Sequence, residues 1–149
     1  MKKMGKPEKM NREERSWALY DWANSAYILV VATAILPIYF KSSASEAGID
    51  GAVSTAFWGY ANSIATFIVF ILAPILGTIA DFKGFKKRFF IFFASLGVAF
   101  TFILAIIPFD QWFVLLICFI VTSVGFAGAN VFYDAFLVDV TTDKRMNRV

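Results

Sequence analysis

The sequence predicts an all-α membrane protein with four transmembrane helices, and three observations carry that expectation. Hydrophobic residues make up 59% of the 149-residue chain and charged residues only 17%, where soluble domains use roughly one-quarter charged. Mean hydropathy is +0.68. The apolar residues also gather into long uninterrupted runs instead of the short amphipathic stretches of a water-facing globule, so lipid is their expected solvent.

Taken to their flanking charges, the runs cover 16–40, 54–80, 89–108 and 112–136. Each is about 20 residues or longer, enough for a ~30 Å hydrocarbon core. Helix is the expected form for all four, because a segment in lipid must satisfy its own backbone hydrogen bonds. At the first run, Asn11 and Glu14 resemble a capping box. Glu13 and Glu14 place negative charge at the positive end of the helix dipole. Pro37 and Lys41 mark the far end. A basic start before an apolar run also describes a secretory signal peptide, but a run of about 25 residues exceeds the 7–15 of such a segment, so a retained helix is expected.

The basic residues orient the spans. Lys2, Lys3, Lys6, Lys9, Arg12 and Arg15 precede the first, Lys83, Lys86, Lys87 and Arg88 separate the second from the third, and Lys144, Arg145 and Arg148 follow the fourth. Only Lys41 falls on the other side. This bias assigns 1–15, 81–88 and 137–149 to the cytoplasm, with both termini there. The outer connections are then 41–53 and a tight turn around 108–111.

Composition excludes several chemistries. Cys118 is the single cysteine and histidine is absent, so disulfide frameworks, zinc and haem are not expected, and no cofactor is. The glycines at 125 and 128 lie inside an apolar run and not after a strand, so no phosphate-cradling loop supports ATP-driven pumping. Carboxylates at a membrane edge do not define a catalytic site, so no enzyme is expected.

The four helices differ in character. In the first span Asp21, Asn24 and Ser25 share one face, flanked by Tyr20 and Tyr27, and that face suits lipid poorly. The fourth carries Asn130, Tyr133 and Asp134 at the same offsets, after Ser123, Gly125, Ala127, Gly128 and Ala129, whose smallness lets another helix approach. If these two spans are neighbours, the two polar sets form a cluster at the cytoplasmic mouth of a pathway. A plainer reading has Asp21 orienting the helix end and meeting Arg15 or a loop lysine, with Asp134 in a like role. The second span carries Asn62, Ser63 and Thr66, then Ala73, Pro74 and Gly77, which permit a bend. The third is ringed by phenylalanines and is expected to be the most lipid-exposed.

Between the second and third spans the chain reads GTIADFKGFKKR over 77–88. A positive-inside loop explains the basic residues but not Gly77, Asp81 and Gly84 at fixed offsets. With Ile79, Ala80, Lys86 and Lys87, these residues resemble the G-x-[LI]-A-D-x-x-G-x-[KR]-[KR] signature of the major facilitator superfamily. Phe85 departs where the pattern prefers arginine. SWALYDWANSA at 16–26, PILGTIAD at 74–81 and FYDAFLVD at 132–139 narrow the resemblance to the unknown major facilitator branch, which includes vacuolar effluxers linked to autophagy.

The resemblance implies helices one to four of a twelve-helix facilitator fold, and secondary-active transport of a small solute, amino acids being one class. Helices one and four would line a central cavity, helix two would sit at the bundle interface and helix three at the periphery. The motif residues Gly77, Asp81, Gly84, Lys86 and Lys87 would govern conformation, Asp81 and Gly84 through contacts partly with the helix-eleven region. The basic residue that many proton-coupled facilitators carry early in helix four is missing from 112–136. The expected partners are the bilayer, a solute and the remaining helices of the same carrier, without nucleic acid. The expected location is the cell membrane, a vacuolar-type membrane being the alternative.

Two other classes share part of this pattern. A non-transporting four-helix scaffold or subunit fits the same spans. A small multidrug-type dimeric exporter requires a glutamate within its first helix, whereas Glu8, Glu13, Glu14 and Glu46 lie outside the runs, and its dual topology requires weak charge bias.

Overall fold

The computed structural model describes residues 12–82 and 84–140, with backbone alone at 13 and 137–140. Asn11 of the expected capping box, the lysines before it, Lys83, Lys144, Arg145 and Arg148 therefore lie outside the described residues. Helix α1 (Arg12–Ala26) continues through a π-helical stretch (Tyr27–Ile35) into α2 (Leu36–Glu46), and α3 (Gly51–Ala80), α4 (Lys86–Ile106) and α5 (Trp112–Val140) follow. Four helices are long and apolar enough to cross a membrane, and no strand forms among the described residues.

The first span runs unbroken from Arg12 to Glu46, so Pro37 and Lys41 do not end it. Pro37 sits in the first turn of α2, immediately after the π-helical stretch. Proline has no N–H and its ring crowds the carbonyl four residues back. The widened register ahead of it leaves room: the Leu36 N–H reaches the Val31 carbonyl, and Thr33 Oγ1 donates to the Ile28 carbonyl at 2.8 Å, both five residues back. The long outer connection expected at 41–53 shrinks to four residues. Gly48 turns it at φ +78°, and the Asp50 side chain caps α3 by accepting from the Ala52 N–H at 2.8 Å.

Helix α3 continues through Pro74, where the lost N–H leaves the carbonyl one turn earlier without its usual donor. Thr78 Oγ1 donates to the Pro74 carbonyl at 2.9 Å. Helix α4 begins without a side-chain cap at Phe85, and its first turn carries Lys86, Lys87 and Arg88 and no acid. That places cations at the positive end of a helix dipole.

Helix α5 is the hub, packing on α4, α3, α2 and α1. Within its most apolar stretch 44% is buried, against 17% in α3 and 11% in both the first span and α4. Helix α4 thus shares the greatest exposure with the first span, because one of its faces is committed to α5. Backbone meets backbone at that crossing: a Cβ added to Gly125 would lie 2.8 Å from the Gly97 nitrogen, and one on Gly128 would lie 2.4 Å from the Phe93 ring. Small side chains allow this approach where no hydrophobic drive from water is available.

Two apolar cores result. One, at the end carrying Arg12, Lys86 and Asp134 (the basic end), joins Leu76, Ala80, Phe93, Ala129 and Phe132. The other, at the opposite end, joins Phe40, Ala61, Leu104, Leu116 and Phe119. There Tyr39 Oη donates to the Ile107 carbonyl at 3.3 Å and Ser43 Oγ to that of Phe109, fastening α2 to the turn between α4 and α5.

Candidate functional site

At the basic end, α1 lies against the last turns of α5. Asn24 Nδ2 donates to Asn130 Oδ1 at 2.7 Å. Nearer the end, the Trp17 and Tyr133 rings stack with centroids 4.6 Å apart. Trp17 Nε1 donates to the Tyr133 carbonyl at 3.4 Å, and Tyr133 Oη donates to the Trp17 carbonyl at 3.1 Å. Tyr20 completes the group, its ring 4.7 Å from Tyr133 and 5.1 Å from Phe90.

The polar residues named from sequence therefore divide. Asn24, Asn130 and Tyr133 are drawn into the α1–α5 contact, where each amide satisfies part of the other. Asp21, Ser25 and Asp134 stay exposed beside it. Asp21 remains within electrostatic reach of both Tyr133 and Asp134. Two residues of this end were not singled out as site residues: Trp17, and Glu14, which is only 2% exposed. A tryptophan and a glutamate in the first turns of a span carry a weak sequence signal, since interfacial tryptophans and capping glutamates are common there.

The motif residues occupy the end of α3, the turn and the start of α4. Asp81 is the last cap residue of α3, exposed, and its N–H bonds back to the Thr78 carbonyl at 3.3 Å. Gly84 has φ +101°, a backbone region that only glycine enters without strain. Lys86 Nζ donates to the Ala135 carbonyl of α5 at 3.2 Å, tying the turn to the fourth span, while Lys87 is exposed. Gly77 faces open space, with nothing within 4 Å of an added Cβ.

Deeper in the bundle, a recess of about 380 Å³ opens between the first span, α4 and α5. Its walls are largely apolar, with Tyr20, Asn24, Tyr27, Gly97, Thr101 and Thr122 among the lining residues. Thr122 is 1% exposed and its hydroxyl has no hydrogen-bond partner among the described residues. By contrast Thr101 Oγ1 bonds back to the Gly97 carbonyl at 2.8 Å, as helical threonines commonly do.

Four apolar crossing helices define an integral, multi-pass membrane protein. The chain belongs to the family described as vacuole effluxer Atg22 like, whose model matches residues 9–147. It is 58% identical over 142 residues to an uncharacterized MFS-type transporter, YxiO, of Bacillus subtilis (strain 168), a match covering 95% of this chain and 33% of that protein. The chain thus spans about one third of the length of this relative. No solved structure matches it.

Proposed function

We propose that the chain forms the first part of a secondary-active carrier that moves a small solute, amino acids being the class to test first. The observation that carries this reading is the transporter-family match over residues 9–147. The polar contact of Asn24, Asn130 and Tyr133 between the first and fourth spans supports it, and with Asp21, Ser25 and Asp134 exposed beside it these are the residues assigned to the mouth of the pathway. Gly77, Asp81, Gly84, Lys86 and Lys87 are assigned to the conformational motif. No catalytic step and no cofactor enter the proposal.

The open face around Gly77 and the recess beside Thr122 support a further element of the reading, that more helices of a longer carrier pack on these surfaces. Half of an alternating-access bundle encloses no substrate site between two rocking units. The clustering of basic residues toward one membrane face favours both termini in the cytoplasm, in a plasma membrane or a vacuolar-type membrane.

The test joins this chain to the remaining two thirds of the Bacillus relative, reconstitutes the hybrid in vesicles and follows labelled amino acids. Flux above that of empty vesicles is expected, reduced in Asp21→Asn and Asp134→Asn. Unchanged flux with unchanged pH dependence in both variants removes the aspartates from the mechanism.

A further inference from the structure

A second cleft, of about 720 Å³, lies at the basic end between the start of α1, the start of α4 and the last turns of α5. Arg12 and Lys87, far apart in sequence, both line it. Each stands at the head of a graded helix face. Along α1 the lining runs Arg12, Ser16, Tyr20, in steps of four that keep one face and descend about 5 Å per turn. Along α4 it passes from Lys87 to Ile91 by the same step, with Phe90 beside it. Cations at the membrane edge, with an apolar wall one turn deeper on α4 and Tyr20 two turns deeper on α1, are the complement of an amphiphile with an anionic head. A soluble anion would use only the first of these layers.

Electrostatics point the same way. The first turn of α4 holds three cations and no acid of its own at the positive end of its dipole, a position where an anion beside Lys87 is favoured. Guanidinium and ammonium groups are the usual holders of phosphate, and basic clefts between transmembrane helices bind lipid head groups.

We propose that this cleft binds an anionic phospholipid, with Arg12 and Lys87 on the phosphate and Tyr20, Phe90 and Ile91 against the first carbons of the tail. The site shares Lys87 with the proposed conformational motif, but lipid binding is read without transport and stands whatever solute the carrier moves.

Native mass spectrometry of the purified chain, titrated with phosphatidylglycerol or phosphatidylcholine, tests it. Phosphatidylglycerol is expected to bind at least tenfold more tightly. Arg12→Gln and Lys87→Gln should each weaken it about fivefold and together about 25-fold, with phosphatidylcholine unaffected. Lys41→Gln, at the opposite end, should change nothing. Arg12→Lys and Lys87→Arg should keep the preference, which separates loss of charge from loss of fold. Equal affinity for the two lipids, or a preference that survives the double glutamine variant, overturns the site. Displacement of phosphatidylglycerol by equimolar inorganic phosphate overturns the lipid as occupant.

Discussion

Trp17 and Tyr133 hold each other three ways: their rings stack at 4.6 Å, and each side chain donates a hydrogen bond to the other's backbone carbonyl. A pair made this way fixes both the distance and the rotation of the first span against the fourth. Stacking of this kind contributes about 0.5–1.5 kcal/mol beyond burial, and intramembrane hydrogen bonds average about 0.6 kcal/mol. Tyr133→Phe should therefore lower stability by about 0.6 kcal/mol and Tyr133→Leu by roughly 1–2 kcal/mol. A double-mutant cycle with Trp17→Leu, read by reversible unfolding in mixed micelles, should show coupling of at least about 0.5 kcal/mol. Additive losses would mean the two residues act separately.

The Asn24–Asn130 bond predicts an asymmetry. Asn24→Leu leaves Asn130 a half-buried amide without its donor, and should cost about 0.6–1.7 kcal/mol. Replacing both residues by leucine removes the need and should cost less than the sum of the single changes. The same unfolding measurement reads the cycle.

Close approach of α4 and α5 makes Gly125 and Gly128 intolerant in different ways. Gly125→Ala must push backbone from backbone, and a loss of about 1–3 kcal/mol is expected. Gly128→Ala meets the Phe93 ring, which is packed against Phe132 with centroids 6.2 Å apart. Phe93→Leu should recover much of the Gly128→Ala loss and little of the Gly125→Ala loss. Thermal unfolding of the four variants distinguishes the two cases.

Gly84 at φ +101° sets the turn between α3 and α4. Gly84→Ala should destabilise by about 1–2 kcal/mol through backbone strain alone, since an added Cβ meets nothing within 4 Å. Gly77→Ala, in a helical conformation with open space around it, should leave the isolated chain unchanged or slightly more stable. Calorimetry should thus show a loss for Gly84→Ala and none for Gly77→Ala.

These contrasts show which features sequence carries. The helices were legible because apolar runs bounded by charge have few other solutions in lipid, and Gly84 because its offset from Asp81 resembles the facilitator signature. The spacing of Asn24 and Asn130 suggested that they share a depth, but not that they bond to each other. Trp17 and Tyr133 were beyond reach as a pair, since nothing local marks a contact across 116 positions. The π-helical register is equally silent: YILVVATAI reads as ordinary apolar helix, and Pro37 reads as an ending, although the preceding turns widen to admit it. Thr122 likewise looked like any helical threonine, and only its missing back-bond sets it apart.

The most direct test of the proposed carrier is a flux comparison in one vesicle preparation between the 149-residue chain alone and the same chain joined to the remaining two thirds of the Bacillus relative. Helices that supply one part of an alternating-access cavity should give no amino-acid flux above empty vesicles alone and clear flux when joined. Equal flux from the chain alone would contradict that reading and make these four helices a transporter in their own right.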